Sequence, residues 1–290
     1  MIGRAGALLV DIALDTVPRG YRISARPGAV MRRALSLLDE DIDALEEAWE
    51  KAGGAVSGRA VKVQAPGPIT LAAGLELPNG HRAITDAGAV RDLTGSLAEG
   101  VERHRAEVAR RLATTVVVQY DEPVLSAALA GRLTGVTALN SVHPIDDVAA
   151  ITLIDTCVAA AGAEVLLHSC AAEIPWNVLQ RSSINAVSVD ASTLSDADLD
   201  GLGEFLDSGR VVVLGLLPTS APPRLPSADE VAAAAVAITD RIGFPSTVVG
   251  QRVGISPACG LAGATAQWAR VALELSQRAA DAVDGDPAAI

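Results

Sequence analysis

Aromatic residues are nearly missing from this chain, at 2% of 290 residues, so a stacking platform for bases or sugars is not expected. Basic residues are also few, with 23 Lys and Arg against 35 Asp and Glu and a net charge of −12. A surface of that sign offers nothing to a nucleic-acid backbone or an anionic lipid. The three cysteines, Cys157, Cys170 and Cys259, are far apart and odd in number, which argues against a secreted disulfide framework and suits a reducing cytosol. No run of about eighteen apolar residues occurs, the length a membrane span needs. Asp11 interrupts the apolar N-terminal segment "MIGRAGALLVDIALD", and no cleavage-type site follows it. The expectation is a soluble, cytoplasmic protein with neither nucleic acid nor membrane as partner.

What is abundant is aliphatic: hydrophobic residues make up 50% of the chain, enough for a large core of Leu, Val, Ile and Ala. Residues 29 to 52 place Ala34, Leu38, Ile42, Leu45 and Trp49 on one helical face and run into Gly53-Gly54, the pattern of a helix with its stop. A β-branched run at Val61 to Val63 is broken by Pro66, Gly67 and Pro68, and a long amphipathic stretch follows from about 86 to 112. The alternation then repeats. Apolar runs in "TTVVVQYDEP", "AEVLLHSC", "INAVSVD", "RVVVLGLLP" and "GQRVGISPACG" are followed by helical stretches near 146–161, 175–182, 196–207, 228–242 and 264–283. Ser227 and Glu230 form a capping-box signature for the helix at 228–242, and Gly243 supplies its end.

Strands that are apolar throughout, each followed by a helix, imply a parallel sheet covered by helices. Six such units, with a weaker strand near Tyr21 to Ser24, point to a (β/α)8 TIM-type barrel. No linker or charge block divides the chain, so one domain over 1–290 is expected.

Catalytic groups of parallel barrels sit at strand C-termini, where the βα loops share one mouth. Four apolar runs end in residues with metal or acid chemistry: Asp121-Glu122, His168 with Cys170, Asp190, and Cys259. His168 and Cys170, two residues apart at a strand end, can point the same way toward one ion. With Cys259 they supply three nitrogen and sulfur donors, the set a catalytic zinc takes while keeping one position open. Asp190 could be a fourth ligand, or could cap the turn that follows its strand. Two thiolates suit Zn²⁺ better than magnesium or calcium. Cys157 lies inside a helical stretch and reads as core filler, and His81, His104 and His143 read as solvated.

Taken in order, "QYDEP", "HSC", "SVD" and "SPACGL" resemble the strand-end motifs of cobalamin-independent methionine synthase in its C-terminal catalytic barrel, a relative of the uroporphyrinogen decarboxylase fold. The resemblance runs from "KVQAPGPITLA" to the C-terminal helix. It implies that His168, Cys170 and Cys259 are zinc ligands, that Asp190 stands where the family usually has a glutamate ligand, and that Asp121 binds the amino group of homocysteine. The "QAPGPIT" segment corresponds to a strand and turn at the barrel mouth with no chemical role assigned. The implied activity is transfer of a methyl group to a thiol, giving methionine.

The sequence departs from that family in three respects. A first strand with a "GS-x-P"-like turn is expected before residue 1, so the barrel is expected to be lacking or truncated at its first β/α unit. Thr219 and Ser220 stand where the family tends to have a histidine, and a hydroxyl cannot titrate near neutral pH. The large N-terminal barrel of the folate-dependent enzymes is not expected, which leaves methyl-corrinoid and methyl-folate both open as donor. Two alternatives stay beside the leading one: corrinoid-dependent methyl transfer to another thiol, and a catalytically degenerate zinc-binding barrel.

Overall fold

A computed structural model describes residues 1–54, 58–135 and 142–285. The chain falls into two compact units, one of residues 1–167 with 181–184, the other of residues 168–180 with 185 onward.

The first unit opens with α1 (Ile2–Ala5) and a hairpin of β1 (Ala13–Val17) and β2 (Gly20–Ser24). Next come α2 (Ala29–Lys51), β3 (Val61–Pro66), α3 (Pro68–Gly74) and the short β4 (Leu75–Glu76). The unit continues through α4 (Ala87–Leu112), β5 (Val116–Asp121), α5 (Leu125–Leu129) and α6 (Asp147–Ala160) to β6 (Val165–Ser169), whose last residues enter the second unit. Asp86 caps α4 by accepting from Ala89 N, and Asp146 caps α6 in the same way.

On α4, Leu93, Leu97, Val101, His104, Val108 and Leu112 are buried together, the three-to-four spacing of one helical face. Each Leu or Val so buried contributes about 1.5–3 kcal/mol. His104 therefore corrects the expectation of a solvated side chain: it is 9% exposed, because its position falls on the packed stripe and not opposite it. His81 and His143 are exposed, as expected.

The second unit holds α7 (Trp176–Arg181), β7 (Ala186–Asp190), α8 (Asp196–Asp207), β8 (Val211–Leu217), α9 (Ala228–Arg241), α10 (Ser246–Arg252), β9 (Val253–Pro257) and α11 (Ala266–Gly285). Both arms of the Ser227–Glu230 capping box are formed at α9, and Gly243 takes φ +78° just past its end. Trp268 Nε1 donates to Pro218 O at 3.0 Å, tying α11 to the loop after β8.

The main sheet runs β3-β5-β6-β7-β8-β9, and β3 with β5, β7 with β8, and β8 with β9 pair in parallel. These are the six apolar runs expected from the sequence. The weak strand at Tyr21–Ser24 is present but does not join them. It pairs antiparallel with β1 and, through Tyr21 and Arg22, parallel with β4, in a separate three-stranded sheet. Every residue of β2 is only half-buried, whereas a central parallel strand must be apolar on both faces.

Candidate metal centre

Each residue of the centre is delivered by a strand end of the second unit. β6 is buried along its whole length, which carries His168 inward to 8% exposure and leaves Cys170, one residue past the strand, half-buried. Cys259 lies two residues beyond β9. Its position is set by Ala258, whose N–H donates to Leu217 O at 2.8 Å and so extends the β8–β9 pairing past Pro257. Gly215 on β8 permits that approach, since a Cβ there would lie 2.6 Å from Ala258 Cα and 2.9 Å from Val189 O. Only a residue without a side chain fits.

The result is one nitrogen and two sulfur donors, from His168, Cys170 and Cys259, all within 4.8 Å of one another. Both thiols are free, and Cys259 Sγ lies 3.5 Å from Cys170 Sγ. Two thiolates on a tetrahedral zinc with bonds of about 2.3 Å would stand roughly 3.8 Å apart, so the pair is already near the spacing the ion needs. Burial, and after it the adjacent Cys259 sulfur, push the Cys170 thiol up to about 11. His168 Nδ1 lies 3.2 Å from Ser188 Oγ.

Asp190 ends β7 outside this trio. Its Oδ1 accepts from Ser192 N at 2.9 Å and from Ser192 Oγ at 2.6 Å, the turn-capping arrangement.

Asp121 and Glu122, adjacent at the end of β5 in the first unit, have different surroundings. Asp121 is 5% exposed, and its carboxylate accepts from Gln64 Nε2 at 2.7 Å and Gln119 Nε2 at 2.6 Å. Gln119 in turn accepts from the Lys62 ammonium, whose pKa is lowered by burial against an opposing pull from Asp121. Two amides orient the Asp121 carboxyl group.

Glu122, an acid that the strand-end pattern placed on the rim, is fully buried. It accepts from Ile69 N at 2.8 Å, Thr70 N at 2.9 Å and Thr70 Oγ1 at 2.7 Å. Burial, opposed by these donors, raises it to about 7. The "QAPGPIT" segment is thus the start of α3 held by a buried carboxylate, with Pro68 at a position where a missing N–H costs nothing. Cys157 is fully buried as core filler.

Residues 1–282 match the family described as cobalamin-independent synthase, catalytic domain. The chain belongs to that family, whose members are methionine synthase-like methyltransferases. Two solved structures are similar to this catalytic domain. A B12-independent methionine synthase from Shewanella sp. W3-18-1, in complex with selenomethionine, aligns with TM-score 0.60 at 14% identity over 96% of this chain and 76% of that one. A methyltransferase from Methanosarcina mazei aligns with TM-score 0.58 at 15% identity over 98% and 77%. At such identities the likeness shows the fold alone: mixed α/β, with six strands in the parallel sheet among the described residues, consistent with a truncated TIM-type barrel. No curated protein matches the sequence. No described helix is long and apolar enough to cross a membrane.

Proposed function

We propose that this catalytic domain is a zinc-dependent methyltransferase that moves a methyl group onto the thiol of homocysteine, giving methionine. The observation that carries the proposal is the meeting of His168, Cys170 and Cys259, three donors from two distant stretches of chain, within 4.8 Å. Their chemistry fits zinc, because imidazole and thiolates are its preferred ligands and two protein sulfurs do not suit magnesium or calcium. Zinc in that place would supply the positive charge that keeps an acceptor thiol deprotonated and nucleophilic near neutral pH. Asp190 is the candidate for a further ligand through Oδ2, since Oδ1 is engaged by Ser192.

Asp121 is assigned the ammonium group of the acceptor. A carboxylate held in place by two amides is preorganised for a cation, and orientation fixed before binding lowers the entropy cost of the encounter. The acceptor thiol gives up its proton, its sulfur forms a bond to the methyl carbon, and the bond between that carbon and the donor breaks. The donor is a methyl-corrinoid or a methyl-folate.

The test is metal analysis of the purified protein together with methionine production from homocysteine and either methylcobalamin or methyltetrahydrofolate. About one zinc per chain and methionine from one of the donors are expected. Absence of zinc, or no methionine with either donor, would overturn the assignment. Turnover of a thiol lacking the amino group as fast as homocysteine would remove the role given to Asp121.

A further inference from the structure

Ser188 lies in the middle of β7, 5% exposed, and nothing in the strand-end pattern singles it out. Its hydroxyl stands 3.2 Å from His168 Nδ1. An imidazole can bind a metal through one nitrogen only if that nitrogen is unprotonated, and in the neutral ring the proton then sits on the other. With Nδ1 facing Ser188, the nitrogen assigned to a metal is Nε2, and the ring must donate from Nδ1.

We propose that Ser188 is a positioning residue for the metal centre: its Oγ accepts the Nδ1 proton of His168, fixes the tautomer that presents Nε2 to the ion, and locks the ring toward Cys170 and Cys259. The inference rests on the zinc reading above. It also adds something that reading lacks, a reason for a hydroxyl between Val187 and Val189, which are both fully buried.

The chemistry favours a serine over most alternatives at this position. The hydroxyl hydrogen rotates, so the same group can accept from Nδ1 when the metal is bound and donate to Nδ1 when it is absent. Outer partners of this kind commonly set 10–100-fold, roughly, in metal affinity. Ser188 touches neither acceptor nor donor in this assignment, so its effect reaches the reaction only through His168.

The experiment compares wild type, Ser188→Ala and Ser188→Thr by competition for Zn²⁺ against a chromophoric chelator, and by the visible spectrum of the Co²⁺-loaded proteins. Ser188→Ala is expected to bind Zn²⁺ about 10–100-fold more weakly and to shift the Co²⁺ ligand-field bands, with its sulfur-to-cobalt charge-transfer band retained. Ser188→Thr, which keeps the hydroxyl, is expected to restore both. Wild-type affinity and an unchanged spectrum in Ser188→Ala would overturn this inference and leave the zinc reading standing. A wild-type protein that binds no zinc in the same competition would overturn both. Thermal unfolding of the metal-free proteins serves as the control: a loss of affinity matched by global destabilisation in Ser188→Ala and not reversed in Ser188→Thr would also count against a positioning role.

Discussion

The Thr70 hydroxyl donates to Glu122 Oε2 at 2.7 Å, and the Thr70 backbone N–H donates to the same oxygen at 2.9 Å. One fully buried carboxylate thereby joins the end of β5 to the first turn of α3, and Gly67 makes room for it: a Cβ there would lie 2.2 Å from Glu122 Oε1. Because Glu122 adjoins Asp121, the contact also holds the strand end that presents Asp121.

Replacing Glu122 by Ala leaves the Ile69 and Thr70 donors buried without an acceptor, an expected cost of about 3 kcal/mol or more. Gly67→Ala should destabilise by forcing the carboxylate aside. Both are read from chemical denaturation midpoints. The pH dependence has a definite sign. Glu122 is raised from 4.5 to about 7 in the folded protein, so the folded state keeps a proton that the unfolded chain has released. Its contribution is complete below 4.5 and declines as pH rises toward 7. Glu122→Gln should flatten stability against pH across that interval, and a variant with the wild-type slope would contradict the assignment.

His104 predicts the opposite slope. Burial first, and Arg4 second, lower its pKa from 6.5 to about 4, so the folded state holds a neutral ring while the unfolded chain takes up a proton. The contribution is present above pH 6.5 and is lost as pH falls toward 4. In His104→Gln the loss of stability over that range should lessen by up to about 1.4 kcal/mol per pH unit, measured by urea titrations between pH 4 and 7.

The six parallel strands were legible because a strand covered on both faces must be mostly apolar, and the runs 116–118, 165–167 and Val211–Leu217 are. Helix ends were legible where a side chain closes them, as with the Ser227 and Glu230 pair. β1 escaped notice because "ALDTV" has neither a clean alternation nor an apolar run. Pro66 and Pro68 read as breakers, yet Pro68 starts α3. The strand-end rule found His168, Cys170 and Cys259 because each follows an apolar run. It gave Glu122 the wrong surroundings, since a sequence does not reveal that its neighbour in space is a helix start 52 residues earlier. Ser188 was invisible for a related reason: its partner, His168, is 20 residues away on another strand.

Gly215 offers a test of how tightly the centre depends on strand spacing. Its φ does not lie in the left-handed region, so Gly215→Ala introduces no backbone strain and acts only through its Cβ, which would press on Ala258, the residue before Cys259. Stability should fall by about 1–3 kcal/mol, as in other overpacked sites. Zinc affinity should fall with it, since Cys259 moves with Ala258. Zinc competition on the folded variant separates the two effects. Full affinity would mean that the Cys259 loop adjusts independently of β8.

Thiol accounting tests the centre without any substrate. Of the three free cysteines, Cys157 is buried and the other two are half-buried; burial is also the main cause of the upward shift of the Cys157 thiol. Two of the three should therefore become reactive toward Ellman's reagent when zinc is stripped with a chelator, and both should be protected when zinc is returned. Cys170→Ser and Cys259→Ser should each lower bound zinc to a small fraction of the wild-type amount, because a site with one sulfur and one imidazole lacks a donor it needs. Cys157→Ala should keep full zinc and lose only stability, by about 1–2 kcal/mol for the small cavity it leaves. If the chelator exposes no additional thiol, or if Cys259→Ser retains its metal, the two sulfurs 3.5 Å apart are neighbours in packing and not a metal site.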